Sequence, residues 1–303
     1  MSITAAMVSE LRKKTGAGMM DCKKALTETA GNMDDAVDFL RKKGLSAAAK
    51  KSGRAAAEGA ISADSTGTVG AIVELNAETD FVAKNEDFQA FVSGIKDVVL
   101  ATEVADVEAL KNVAFPGTGR TVGEELTHQI ATIGENMGLR RFARVDAGQG
   151  VVTSYIHGAG KIGVLVELQT ASTDEKVAAL GKQLAMHVAA AAPQYLNRES
   201  VPAEIVDKEK EIMRVKAIDS GKPEKIVDKI ILGQINKYFG EVCLLEQAFV
   251  IDPDHKVGKL VAALAKELGT EIKLNSYVRY QLGEGLEKKE DDFAAEVAAM
   301  SKQ

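Results

Sequence analysis

The chain reads as an α+β protein. It should hold a three-helix N-terminal unit, two related subdomains each carrying helices on a small antiparallel sheet, an inserted antiparallel helical hairpin and a C-terminal helix. Three observations predict this. The run Gly67-Thr68-Val69-Gly70-Ala71-Ile72-Val73-Glu74-Leu75-Asn76 recurs as Gly160-Lys161-Ile162-Gly163-Val164-Leu165-Val166-Glu167-Leu168-Gln169. The 303 residues are 46% hydrophobic but only 5% aromatic, with no Trp and five Pro, so the core must be packed by Ala, Val, Leu and Ile in a helix-rich frame. Finally, turn signals at Ser220-Gly221-Lys222-Pro223 separate two long helical patterns that interrupt the second copy of the repeat.

Residues 1–54 form the first expected domain. Thr4 caps a helix carrying Met7, Val8 and Leu11, and Thr15-Gly16-Ala17-Gly18 breaks it. A second helix runs from Met19 to Ala30-Gly31. A third follows Asn32, with Ala36, Val37, Phe39 and Leu40 inward and Gly44 as its C-cap. The Ala-, Lys- and Arg-rich stretch 47–57 reads as a linker, either helical or irregular. Subdomain N is expected over 55–146: a hairpin of strands 59–63 and 69–75, helices 86–101 and 122–136, and a strand over 139–145. Subdomain C is expected over 147–192 and 229–282. Its hairpin uses 151–156 and the repeat, followed by a helix over 173–190, a helix over 224–239 and a strand over 241–251. A helix over 257–268 and a strand over 271–282 complete its sheet.

Between these pieces, 193–228 forms the helical hairpin. Ile205 and Ile212, and Val206 and Met213, lie a heptad apart and face Ile226, Val227, Ile230 and Ile231. The last module, 283–303, holds a helix started by Asp291 and Asp292.

The joint Asn76-Ala77-Glu78-Thr79-Asp80-Phe81-Val82-Ala83-Lys84-Asn85 is the most informative stretch. It links the repeated strand to a helix capped by Asn85, with Glu86 and Asp87 in its first turn and apolar residues at 88, 91, 92, 95, 98 and 99. Those positions already fill the helix's core face, so Phe81 and Val82 are not required there. Two readings stand: Thr79 or Asp80 caps a short turn and Phe81 plugs the domain's own core, or the apolar pair is offered to a partner.

Several chemistries are not expected. Gly158-Ala159-Gly160-Lys161-Ile162-Gly163 has the spacing of a dinucleotide loop, but it leads into a strand rather than the helix that would hold a pyrophosphate. The phosphate-loop pattern fails because Ile162 follows Lys161 and Tyr155 stands where its first Gly belongs. His128, His157, His187 and His255 show no metal-ligand spacing, and His157 reads as a hairpin-turn residue. Cys22 and Cys243 are far apart, as in a reducing compartment. With no signal-peptide pattern and no apolar run long enough to span a bilayer, a cytoplasmic protein is expected. A binding protein, rather than an enzyme, fits these readings, with no cofactor or metal.

The net charge of −6 argues against a general nucleic-acid coat. Yet residues 10–54 carry eleven Lys and Arg against six Asp and Glu, a basic head suited to an acidic protein surface or to RNA. No aromatics interleave with those charges to stack bases, so an RNA-associated translation or assembly factor is the second reading.

Leu11-Arg12-Lys13-Lys14-Thr15-Gly16-Ala17-Gly18-Met19-Met20-Asp21-Cys22-Lys23-Lys24-Ala25-Leu26 and Thr79-Asp80-Phe81-Val82-Ala83-Lys84-Asn85 resemble the two signatures of the bacterial elongation factor Ts family. Ile133-Gly134-Glu135-Asn136, His157-Gly158, Gly221-Lys222-Pro223 and Asp292-Phe293-Ala294-Ala295-Glu296-Val297 extend the resemblance over the whole chain, in order. It implies a guanine-nucleotide exchange factor for elongation factor Tu, with a head similar to ubiquitin-associated domains. It implies that Thr79, Asp80, Phe81 and Val82 form the element that disturbs the partner's magnesium. Arg12, Met19, Met20, Ile133, Gly134 and His157 would be further partner contacts. No direct contact with nucleic acid or membrane is implied.

Overall fold

A computed structural model describes residues 3–221 and 223–286; the expected helix after Asp291 lies outside the described residues. The described chain forms two compact units. One takes in the residues up to Ser62, Val73–Phe142 and those from Gln281 on; the other takes Ala63–Ile72 and Ala143–Tyr280. Among the described residues, no helix is long and apolar enough to cross a membrane.

Helix α1 (Ala5–Thr15) begins where the Thr4 side chain accepts the Met7 amide at 3.3 Å, and ends where Gly16 turns left-handed at φ 69°. Helix α2 (Met19–Glu28) buries Cys22, Ala25 and Leu26, spaced to keep one face inward. Asn32 caps α3 (Met33–Lys51) by accepting the amides of Asp34 and Asp35. Val8, Leu11, Cys22, Ala25, Leu26 and Ala36 make the small core of these three helices.

Gly44 does not end α3; the helix runs on to Lys51 through the stretch expected to be a linker. Gly44 is buried, and a Cβ there would stand 3.5 Å from the Cβ of Ala131. Ala131 belongs to α7 (Val122–Ile133), which starts in a reciprocal Thr121–Glu124 capping box and ends at left-handed Gly134. The glycine therefore sits inside a helix–helix contact, with room left for a methyl, rather than at a turn. An Arg41–Glu124 ion pair joins the same two helices.

The first sheet has the order β1-β2-β3, from β1 (Glu58–Thr66), β2 (Val69–Ala77) and β3 (Met137–Asp146). Between β2 and β3 come α4 (Asp80–Ala83), α5 (Glu86–Ala101), α6 (Val107–Lys111) and α7. The second sheet has the order β4-β5-β6, from β4 (Gly150–His157), β5 (Ile162–Thr170) and β6 (Ile272–Gln281). Strands β4 and β5 pair antiparallel, with Gly150 opposite Gln169 and His157 opposite Ile162. His157 is thus the last residue of a strand and not part of the turn. Helix α8 (Glu175–Ala191) follows, then α9 (Ala203–Asp219), α10 (Glu224–Val242) and α11 (Val257–Leu268).

The duplication extends to single atoms. A Cβ on Gly59 (φ 126°) would stand 2.2 Å from the Leu75 carbonyl oxygen; one on Gly150 (φ 151°) would stand 2.2 Å from that of Leu168. No side chain fits either place. Each repeated strand also buries a carboxylate that pins its third strand. Glu74 accepts from Arg140 at 2.9 Å, Arg141 at 2.6 Å and the Gly283 amide at 2.9 Å. Glu167 accepts from Asn275 at 2.9 Å and Ser276 at 2.6 Å.

The strand expected over 241–251 is absent. Helix α10 runs to Val242, a 3-10 turn covers Leu244–Glu246, and only single bridges at Cys243 and Ala248 remain. Val242, Cys243, Leu244 and Phe249 are each buried, so the run is apolar for packing, which periodicity alone does not separate from a strand. The third-strand position belongs to β6, and α11 with its left-handed Gly269 end answers to α7 with Gly134. Helices α9 and α10 pack through Ala217, Val227 and Ile231, with Met213 and Ile230 beside them. Ile205, Ile212 and Ile226 are exposed, so that seam is narrower than the expected stripe.

Two outcomes test this packing. Gly44→Ala should hold or raise the melting temperature, because the methyl fits and alanine is the better helix former by about 1 kcal/mol. Gly44→Val should lower stability by about 1–3 kcal/mol through overpacking against α7. Thermal melts that show Ala as harmful as Val would restore a capping role. For Glu74, burial alone would push the carboxyl up, but the Gly283 amide and the two guanidinium groups hold it below the usual carboxylate range. Its contribution is therefore complete above an unfolded value of about 4.3 and fades as pH falls through the depressed folded value. Glu74→Gln should be less stable than the parent at pH 7, with the gap closing in acid. A gap unchanged at low pH in urea titrations would contradict this.

Candidate partner-binding site

The site grows from the joint after β2. Thr79 is extended (φ −129°, ψ 158°), and its hydroxyl accepts the Val82 amide at 3.4 Å, which starts the single turn α4. At the other end of the turn, the Lys84 and Asn85 amides reach back to the carbonyls of Phe81 and Val82. Asn85 then caps α5 by accepting the Phe88 amide at 3.1 Å. The geometry keeps one half of the first reading of the joint: Thr79 does cap a short turn, but Phe81 does not plug a core. Phe81 is 80% exposed. Phe88, Phe91, Val92 and Ile95 of α5 fill the interior without it.

Val82, expected beside Phe81 as part of an offered pair, is buried at 8% exposure. In a one-turn helix, neighbouring residues point to different sides. Val82 therefore anchors the turn and Phe81 leaves it. Lys84 reaches the Asp80 carboxylate at 2.7 Å and lies 5.9 Å from the centre of the Phe81 ring. Both partners of that pair are well exposed, so it is worth about 0–1 kcal/mol and is easily exchanged for another.

A second joint meets the first. Past the Gly134 cap, the Glu135 carboxylate accepts the Thr79 amide at 3.0 Å and the Thr79 hydroxyl at 2.7 Å. In return, the Glu78 carboxylate accepts the Asn136 amide at 2.5 Å. Arg54 donates to Glu78 at 3.4 Å, and its carbonyl accepts the Asn136 side chain at 2.7 Å. Ile133, half-buried, ends α7, and exposed Gly134 caps it, directly before the Glu135 that braces the turn.

Residue-pattern reasoning missed Glu78, Glu135 and Asn136 as parts of the site. A signal was there: an acid next to a helix C-terminus opposes the helix dipole, so Glu135 must answer to donors elsewhere.

The head of the same unit presents Met19 and Met20, 60% and 74% exposed at the start of α2, and exposed Arg12 on α1. In the other unit His157 is exposed, with Nδ1 3.0 Å from the Tyr155 hydroxyl. Among the described residues no group of three or more His, Cys, Asp or Glu is arranged to hold a metal ion. What the site offers is shape: an aromatic knob on a braced turn, with soft methionines on the same unit.

Residues 78–284 match the family model described as Elongation factor TS. The chain is 69% identical to an elongation factor Ts of Syntrophotalea carbinolica over 303 residues, all of both chains. It is 57% identical to one of Magnetococcus marinus, covering 98% of each chain. It is 53% identical to one of Clostridium botulinum, again over 98% of each. The matched span starts at the first acid of the brace and takes in β3 and the whole second sheet, and these likenesses together make the chain a member of the elongation factor Ts family.

Proposed function

We propose that this translation elongation factor binds elongation factor Tu in its GDP form and promotes GDP release, with the Asp80–Phe81 turn as the element that disturbs the magnesium and nucleotide site. The observation that carries this reading is the 80% exposure of Phe81 on a turn whose backbone is capped at both ends.

Exchange forms and breaks no covalent bond. The factor must bind the nucleotide-free partner more tightly than the nucleotide-bound one, and linkage makes the two ligands weaken each other equally. A nanomolar nucleotide holds about 12 kcal/mol of binding, so the coupling has to be large. Burying an aromatic side chain between partner helices supplies about 1.5–3 kcal/mol, available only when those helices part. Displacing a metal ligand then leaves phosphate charge that the ion had neutralised. Asp80 travels with the ring and can trade Lys84 for a donor on the partner, or repel phosphate. Val82 acts from inside, as the turn's anchor. Arg12, Met19, Met20, Ile133, Gly134 and His157 are the contacts that would hold the knob against expulsion. No cofactor, nucleic acid or membrane is needed, and the setting is cytoplasmic.

The basic head gives little support to an RNA-binding role. Lys14 pairs with Asp34, Lys43 with Asp21 and Arg41 with Glu124, so part of its charge is answered internally.

Phe81→Ala should lower the maximal rate of stimulated GDP release about ten- to a hundredfold, the equivalent of the lost burial, with the melting temperature unchanged. Stopped-flow release at the parent rate would remove the knob from the mechanism. Met19→Ala with Met20→Ala should instead weaken complex formation while leaving the rate at saturation near the parent value. A drop at saturation, with affinity intact, would contradict the holding role.

A further inference from the structure

We infer that Glu135 is a positioning residue for the exchange element: its carboxylate fixes the aim of Phe81 from a different loop. The inference deepens the reading above and rests on Phe81 being the knob. A ring 80% exposed is aimed mainly by the backbone beneath it. That backbone begins at Thr79, whose amide and hydroxyl both donate to the Glu135 carboxylate, at 3.0 and 2.7 Å. The same hydroxyl accepts the Val82 amide, so one oxygen ties the start of α4 to both Glu135 and the buried anchor. Two donors on one ionised carboxylate make a charge-assisted, two-point attachment, which restricts rotation as well as distance.

The attachment is reciprocated by Glu78 on the Asn136 amide, 2.5 Å away. Each joint thus lends an acid to an amide of the other. Glu135 follows Ile133 and Gly134 directly, so that proposed contact point and the Phe81 turn are held in fixed register. Without Glu135, the Thr79 amide and hydroxyl would turn to water, the turn would sample other directions, and the ring would reach its place in the partner less often. The consequence is a loss in release rate with little loss of fold.

The test is a double-mutant cycle on stimulated release of a fluorescent GDP analogue from elongation factor Tu, at saturating concentrations of E135A, F81A and the double variant, with E135Q alongside. We expect E135A to reduce the maximal rate about tenfold, the equivalent of a hydrogen bond to a charged group. E135Q keeps one acceptor for the amide and offers a donor to the hydroxyl, and it should recover to within about twofold of the parent. In the F81A background, E135A should add less than about twofold, because there is no ring left to aim. An E135A rate equal to the parent, with F81A impaired, overturns the positioning role and leaves the knob standing. A full E135A loss on top of F81A overturns it too, because Glu135 would then act elsewhere. An F81A rate equal to the parent removes the knob itself. If E135A fails to fold, E135S, which also removes both acceptors of Thr79 and leaves the Thr79 cap on Val82 in place, runs the same cycle with the same expectations.

Discussion

The exchange of acids between two loops, Glu135 onto Thr79 and Glu78 onto Asn136, is the constraint on which the rest of the site depends. A large aromatic in water is normally driven inward by about 1.5–3 kcal/mol. Holding it outward requires that the backbone under it have no freedom to fold back. Here the turn is capped by Thr79, anchored by buried Val82, closed by Asn85 and braced from outside by Glu135. Bonds to charged acceptors, partly shielded from solvent, give that stiffness in a segment too short for helix propensity to matter.

The sheet beneath supplies the second level of rigidity. Glu74 lies fully buried within the strand that feeds the turn, and two arginines of β3 and the Gly283 amide satisfy it. Removing a buried charge's partners is far more harmful than the pair is beneficial, so such a network fixes register. The second copy keeps the device with other donors, Asn275 and Ser276 on Glu167. The two subdomains therefore share a construction rule, a buried acid in the repeated strand pinning the third, although only the first carries the exposed ring.

Much of this was legible in the residues. The hairpins, the Thr4, Asn32 and Asn85 caps and the extent of α11 follow from local chemistry, and the local chemistry prevailed. The outward Phe81 was legible only as one of two readings: α5 already had a full apolar face, but no local rule excluded the ring as a plug for its own core. Other features needed the third dimension. Gly44 looks like a stop signal until Ala131 of α7 is seen beside it. The apolar run at 241–251 looks like a strand because burial at irregular positions leaves the same residues behind as burial in a sheet. Val82 and Phe81 are equal in hydrophobic pattern, and only the turn's geometry parts them. The Glu135–Thr79 contact joins residues far apart in sequence, beyond any local rule.

The chain has no tryptophan, which makes the central claim directly measurable. With Phe81→Trp, the new indole reports the environment of that ring alone, once the emission of the partner GTPase is subtracted. A water-exposed spectrum is expected in the free protein. A blue shift and protection from acrylamide quenching are expected when nucleotide-free elongation factor Tu is added, reversed by GDP in proportion to its competition for the complex. An indole that stays exposed in the saturated complex, or is already buried in the free protein, would contradict the claim.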